Sequence, residues 1–305
     1  MRAVVVGHFG GPEVLTVTTL PDPVAEPGKV VIRVLAANVN PTDLAARQGF
    51  VVGAPLDPPI VLGWDLAGTV EAVGDGVTGV APGDRVVGMI PWYVIRGSVG
   101  AYAELVAVDP EWLVPLPDGL GYAEAATIPL NALTARQALE LLAPAPSCEL
   151  LVTGASGAVG SFAVQMALAA GHAVTAVAGR DDEAWVAGLG KVTVVLPRGT
   201  DLSGIGRFPS VLDAVPVDEP ALAAVADGGH VVATRPTPPA DPARQIRQDV
   251  VLIRADRPGL AEVVADVAAG RLQTRVDRTI PFAEAAEAHR LVEAGGLHGK
   301  VVLVP

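Results

Sequence analysis

The feature that most constrains this chain is a run of small residues set between an apolar strand and an apolar helix, ELLVTGASGAVGSFAVQMALAAG. Residues 150–153 read as the strand and 157–170 as the helix, with Gly154, Gly157 and Gly160 in the turn. Glycines here let the backbone turn tightly, admit a pyrophosphate, and bring the helix close to the strand. Amides at the helix N-terminus then meet the negative charge. The pattern departs from Gly-x-Gly-x-x-Gly at its first position, where Ala155 stands and Gly154 comes one residue early. A structural glycine turn with no ligand is the alternative.

The tip of the following strand tests the reading. Roughly 20 residues on, a carboxylate would hold the ribose hydroxyls of NAD. Ala178 falls in that place, followed by Gly179 and Arg180. A guanidinium matches a phosphate bidentately, so this tip favours the extra phosphate of NADPH. Asp181, Asp182 and Glu183 read as the charged start of the next helix. A solvated Arg180 is the alternative.

Around this turn, residues 118–257 alternate short apolar runs with Ala-rich helical stretches. Strands are expected at 173–178, 192–196, 211–214, 230–233 and 250–254, with a short helix at 181–188. Such alternation implies a doubly wound parallel sheet. Residues 1–117 differ. Val-rich runs at 4–6, 30–34, 66–73, 85–88 and 105–108 are separated by turn clusters such as Glu26-Pro27-Gly28 and Ala81-Pro82-Gly83-Asp84. They read as an antiparallel barrel-like or sandwich-like domain. Residues 258–305 hold helices near 259–269 and 282–293 and strands near 276–280 and 301–304, expected to fold back on the first domain. The fold class is therefore α/β, a β-rich domain beside a parallel-sheet domain.

Charge narrows the partners. The formal net charge is −12, which repels phosphate backbones and anionic lipid surfaces, so neither nucleic acid nor a membrane is expected as a partner. The single cysteine, Cys148, makes no internal disulfide and no Cys-rich zinc site. The opening MRAVVVGHFG reads as a first strand and not as a signal peptide. No uncharged apolar stretch reaches the ~18 residues of a membrane span, so a cytoplasmic location is expected.

Further segments fall into one pattern. LAANVNPTDLAARQG, VLGWDLAGTVEAVGDGV, APGDRVVGM, GAYAELVAV, LPDGLGYAEAATIPLNALTARQAL and LHGKVVLVP, in that order, resemble the zinc-free quinone oxidoreductase (zeta-crystallin-like) branch of the medium-chain dehydrogenase/reductase superfamily. The resemblance implies a GroES-like catalytic domain over 1–117 completed by 258–305, a Rossmann NADPH-binding domain over 118–257, and a homodimer. It places Asn40 and Asp43 beside the nicotinamide and Thr134 at the cofactor's reactive end. Gly154, Ser156, Gly157, Ala158, Val159 and Gly160 would hold the pyrophosphate, Ser156, Ala158 and Val159 through their amides. Gly179 and Arg180 would lie at the 2′-phosphate, and Lys300 resembles a late cofactor-contacting lysine. Each has a plainer reading: Asn40 before Pro41 sets a turn, Asp43 caps the helix at 44–47, Thr134 lines a helix, and Lys300 is solvated.

The departures bear on chemistry. Near Asn38 and Gly63-Trp64 there is no Cys or His, so no metal is expected. Where relatives carry a tyrosine after the Asn-Pro segment, Ala45 and Phe50 stand. Where a tyrosine follows the third strand, this chain has Pro197-Arg198, and Leu189-Gly190-Lys191-Val192 precedes that strand. Hydride transfer from NADPH to a quinone tolerates the loss of a placed acid, because water can supply the proton. An enone or enoyl acceptor gains more from a donor. Tyr93, in Ile90-Pro91-Trp92-Tyr93, is the candidate catalytic donor, with aromatic lining or packing as alternatives. The expected function is an NADPH-dependent quinone reductase. The alternatives are a reductase of conjugated C=C bonds and a non-catalytic NADPH-binding protein.

Overall fold

The computed structural model describes residues 1–50, 56–95, 97 and 99–305. The chain divides into two compact units. The first comprises Met1–Leu130, Arg254–Ala269 and Arg275–Pro305, and the second Asn131–Ile253 and Gly270–Thr274.

The first unit begins with β1 (Arg2–Val6), β2 (Leu15–Thr19) and β3 (Val30–Asn38), followed by helix α1 (Pro41–Arg47). Strands β4 (Ile60–Val61), β5 (Asp65–Val73), β6 (Arg85–Met89), β7 (Leu105–Val108) and β8 (Leu113–Pro115) lead to α2 (Tyr122–Ala126). These runs are Val-rich with buried faces, the pattern that packs well on a pleated surface. Strands β3, β5, β6 and β8 pair antiparallel in sequence, and β7 joins the free edge of β3 over Val30 to Arg33. A bulge in the β3–β5 register falls between Val34 and Ala36. Opposite it stands Gly68, where an added Cβ would lie 2.1 Å from the Arg33 carbonyl oxygen, so only glycine admits this approach. Strand β2 was not among the expected strands. Its pattern is one buried residue followed by four exposed ones, too little apolar periodicity to read as an element.

Helix α3 (Pro129–Leu142) leads into the second unit. There β9 (Glu149–Thr153), α4 (Ala158–Ala169), β10 (Ala173–Ala178), α5 (Glu183–Ala187), β11 (Val194–Pro197), β12 (Phe208–Asp213), α6 (Glu219–Ala224), β13 (Val225–Ala233) and β14 (Arg247–Val250) follow. All six strands are parallel, in the order β11-β10-β9-β12-β13-β14. The order reverses between β9 and β12, and ligands of such sheets bind outside the strand C-termini at that point. Leu151, Phe208, Val211 and Val225 share a buried apolar cluster. The last strand differs from expectation: β14 ends at Val250, where the sequence reading started it. The apolar residues 251–253 lie past the ladder, and Leu252 is exposed.

The chain then returns to the first unit through α7 (Arg257–Ala268), β15 (Val276–Pro281), α8 (Ala285–Ala294) and β16 (Lys300–Val304). Strand β16 lies between β15, to which it is parallel, and the C-terminal end of β3, to which it is antiparallel. The expected α/β class, one antiparallel β-rich part and one Rossmann-like part, is borne out.

Candidate functional site

In the second unit, β9 runs into Gly154, whose φ of +62° is left-handed backbone that other residues rarely adopt. The Gly157 amide donates to the Gly154 carbonyl at 2.9 Å, and Gly157 is the N-cap of α4. At Gly160 an added Cβ would lie 2.2 Å from the Gly154 oxygen and 2.9 Å from Ala155 Cα. The glycine therefore lets the first turn of α4 rest on the loop. No side chain caps this end and no acid stands in the first turn, so the amide-rich terminus carries its positive field unopposed. Ser156 acts through its side chain as well: Oγ accepts the Gly179 amide at 2.8 Å, tying this turn to the tip of β10. A Cβ at Gly179 would meet that Oγ at 2.9 Å.

Between these tips lies a cavity of about 360 Å³, bounded by Thr153, Gly154, Gly179, Arg198, Thr200 and Val215 among others. Arg198 lines it, and its Nη2 stands 3.9 Å from where a Cβ of Gly179 would be. Arg180 is exposed and is not among the residues bounding the cavity. Asp213, at the end of β12, accepts the Thr153 hydroxyl and the Val217 amide, which holds the loop carrying Val215. Burial raises the Asp213 carboxyl above its ordinary range. Neither Arg198 nor Asp213 was found as a site residue from sequence. The Pro197-Arg198 departure was the available signal for the first. Thr134 is buried in α3. The donor set and the space fit a phosphorylated dinucleotide: a glycine cradle that a Cβ would fill, an uncapped helix terminus, and a cation on the cavity wall.

In the first unit, a second group of polar residues is built from side chains. Asn40 is the N-cap of α1 with Pro41 at the first helical position. Asp43, in the first turn, accepts the Asn40 amide at 2.9 Å, half of a capping box worth about 1 kcal/mol. Its other oxygen accepts the Gly63 amide at 3.0 Å. Asn40 Nδ2 donates to Asp65 at 2.8 Å, Asn38 Nδ2 donates to Asp65 at 3.1 Å, and Lys300 Nζ donates to Asn40 Oδ1 at 3.0 Å. Asp65 also accepts the Leu130 amide at 2.8 Å, in the first turn of α3. The sequence reading brought Asn40, Asp43 and Lys300 forward; the structure joins them through Asp65 and Asn38, which it had not singled out.

Burial sets the protonation energetics. It raises the Asp43 carboxyl to about 7, opposed by the amides of Asn40 and Gly63 and by the charge of Lys300. It raises Asp65 to about 6, opposed by hydrogen bonds from Asn40, Asn38 and Leu130. It lowers the Lys300 ammonium to about 8, opposed by both carboxylates. A chain of bonds leads away from Asp43. The Tyr102 phenol is hydrogen-bonded to Asp43. His289 Nε2 stands 3.4 Å from the Tyr102 oxygen, and Nδ1 stands 3.2 Å from Arg47 Nη1. Arginine only donates, so Nδ1 accepts and Nε2 carries the proton. Burial and the Arg47 charge keep His289 neutral, lowering it to about 3. Arg47 is itself paired with Glu293.

Tyr93 stands at the border of this group. Its hydroxyl lies 2.6 Å from Thr42 Oγ1, and its ring meets Trp64 edge-on with centroids 4.5 Å apart.

Among the described residues, no three His, Cys, Asp or Glu side chains are grouped to hold a metal ion. The Asn38 and Asn40 amides and the Leu130 N–H donate to Asp65 and the Lys300 charge acts on it, a set that does not suit zinc. No helix among the described residues is long and apolar enough to cross a membrane.

The sequence matches the alcohol dehydrogenase GroES-like domain over residues 26–118 and the zinc-binding dehydrogenase domain over residues 189–303. It is 30% identical to the chloroplastic NADPH-dependent alkenal/one oxidoreductase of Arabidopsis thaliana, over 100% of this chain and 80% of that protein. It is 37% identical to the quinone oxidoreductase of Mus musculus, over 60% of this chain and 54% of that protein. Among solved structures, an NAD-dependent alcohol dehydrogenase superposes with a TM-score of 0.88 at 32% identity, covering 100% of both chains. The fold and the glycine turn define a two-part oxidoreductase dependent on NADH or NADPH. The chain belongs to the medium-chain dehydrogenase/reductase superfamily.

Proposed function

We propose that this protein is a metal-free NADPH-dependent reductase of an electron-poor acceptor, a quinone or a conjugated enone. The observation that carries the reading is the cavity at the tips of β9, β10 and β11, which Gly154, Gly179 and Arg198 bound, while residues 155–160 of the turn are not among those bounding it. The Arg198 guanidinium supports NADPH over NADH, although the Asp182 carboxylate stands nearer the same position, 3.6 Å from where a Cβ of Gly179 would be. Arg198 takes the part the sequence reading assigned to Arg180. When bound, NADPH supplies a hydride. The chain's own part is to hold the pyrophosphate on Gly154 to Gly160 and the 2′-phosphate beside Gly179. Asn40, Asp43 and Lys300 form a rigid polar wall, and Thr134 is a candidate contact for the reactive end. A metal-free site is supported by the donor set around Asp65.

The names of the relatives support both acceptor classes: one reduces alkenals and enones, another quinones. The test is NADPH oxidation by the purified protein with an ortho-quinone and with a 2-enal, with NADH as control. Oxidation with either acceptor supports the reading, and with neither the proposal fails. A rate with NADH equal to that with NADPH removes the cofactor assignment. A homodimer accompanies the reading, and sedimentation of the purified chain tests it.

A further inference from the structure

The three tyrosines of this chain have different surroundings. Tyr102 is fully buried and committed to Asp43 and His289. Tyr122 receives the Arg85 Nε proton at 3.2 Å and lies under its guanidinium. Tyr93 differs. Its hydroxyl meets another hydroxyl, Thr42 Oγ1, at 2.6 Å, and either atom can donate. Both side chains are half-buried, so water reaches them. Their positions are nevertheless defined. Thr42 lies in the first turn of α1 between Pro41 and Asp43, the turn that the Asn40–Asp43 capping box fixes. The Tyr93 ring is held edge-on by Trp64 and Trp92, and the Trp92 indole donates to the Val61 carbonyl at 2.9 Å. The next residue, Val94, is 80% exposed, and Phe50, just past α1, is 71% exposed. A hydroxyl pair on a rigid turn, reachable by water and followed by bare apolar side chains, has the makings of a proton-delivery site for an apolar acceptor.

We propose that Tyr93 is the proton donor of the reductase and that Thr42 is its positioning and relay hydroxyl, which assigns conjugated enones and enals as the acceptor class. This rests on the reductase reading above. The step balances as follows. Hydride adds to the β-carbon of the acceptor, and the C=C pair moves toward the carbonyl to give an enolate. The Tyr93 O–H bond breaks, its proton forms the C–H bond at the α-carbon, and its electron pair stays on the phenolate oxygen. Thr42 Oγ1 holds that oxygen by donation and hands on a proton, then regains one from water. The sum is one acceptor, one NADPH and one solvent proton to one saturated product and NADP⁺. A quinone needs no such donor, because both oxygens of its product take protons readily from water. Burial, joined by the Asp43 charge, raises the Tyr93 phenol above its ordinary value, and the bond from Thr42 works against that rise. The Lys300 ammonium donates to Asn40 Oδ1.

Two measurements test this. The first needs no cofactor: ultraviolet titration of the protein alone, in which the difference between wild type and Tyr93→Phe isolates the Tyr93 phenol. Thr42→Val is expected to raise that ionisation, and Thr42→Ser to restore it. The second compares rates on a 2-enal and on an ortho-quinone. Placed acids contribute about 10²–10⁴-fold, so Tyr93→Phe is expected to lower the enal-to-quinone rate ratio by about a hundredfold. Thr42→Val is expected to fall between it and wild type, and Thr42→Ser near wild type. Thermal melting of each variant reports whether it folds, and the ratio cancels a general loss of active protein. A Tyr93→Phe ratio equal to wild type overturns the proposal, as does an unshifted phenol in Thr42→Val. If wild type reduces a quinone but no enal, this proposal fails while the reductase reading stands. If it reduces neither, both fail.

Discussion

The two candidate binding regions are built from opposite materials. The turn after β9 is backbone: glycines that accept φ of +62° or tolerate a neighbour at van der Waals distance, and helix amides that carry partial charge without any side chain. The group around Asp65 is side chain: two amides, two carboxylates and an ammonium taken from β3, α1, β5 and β16. A backbone site is pre-paid by local conformation and shows little dependence on pH. A side-chain site depends on every member being present, because each buried group compensates another.

The comparison breaks first at Gly160. Replacing it with valine drives a side chain into the Gly154 carbonyl, and overpacking of this kind costs about 3 kcal/mol. We expect loss of NADPH binding by fluorescence titration together with a lower urea midpoint at every pH. An unchanged affinity would show that the turn is not where the cofactor sits.

Lys300→Met gives the complementary result. It leaves Asp43 and Asp65 facing each other without their cation, and breaking such a buried set costs about 3 kcal/mol when the carboxyls are ionised. The sign follows from linkage. Both carboxyls already have raised folded-state values, about 7 and about 6, so the folded protein holds protons that the unfolded chain has released above pH 4. Removing Lys300 raises them further. The gap between variant and wild type therefore widens as pH rises through this range, and should be larger by urea unfolding at pH 8 than at pH 5. A gap independent of pH would mean that Lys300 acts by packing alone.

The smallest effect sharpens the cofactor assignment. Arg198→Ala is expected to weaken NADPH about tenfold relative to NADH, the loss of a charge-assisted hydrogen bond. Arg180→Ala, on an exposed side chain, is expected to change the same ratio by less than about twofold. Equilibrium binding of both nucleotides to both variants decides between the two arginines, and the opposite order would restore Arg180.

The difference in material also explains what could be read in advance. The β9–α4 turn was legible because its glycines, the strand before and the helix after are contiguous in sequence. The polar group was legible only in part. Asn40 and Asp43 sit three residues apart in one turn, but Asp65 comes to them through the β3–β5 ladder, where Ala37 faces Leu66. Lys300 comes through the β3–β16 ladder, where Val302 faces Asn38. Register over that distance has no local signature. An acid opening the apolar strand at Asp65 was the one available hint. Arg198 lies beyond the end of β11, on a loop whose course around the cavity no periodicity reveals, so the sequence reading brought forward only Arg180.

The insertion of β16 beside β3 sets an order of assembly. Residues 131–253 are all made before Lys300 leaves the ribosome, and so can begin to fold while the first unit lacks two strands. Until then the C-terminal end of β3 is an open edge at Ala37 and Asn38, and Asp43 and Asp65 lack their cation. The nascent chain thus passes through a stage in which its first unit is a sheet with a bare rim and an uncompensated pair of acids. The polar group around Asp65 is complete only when the last strand arrives.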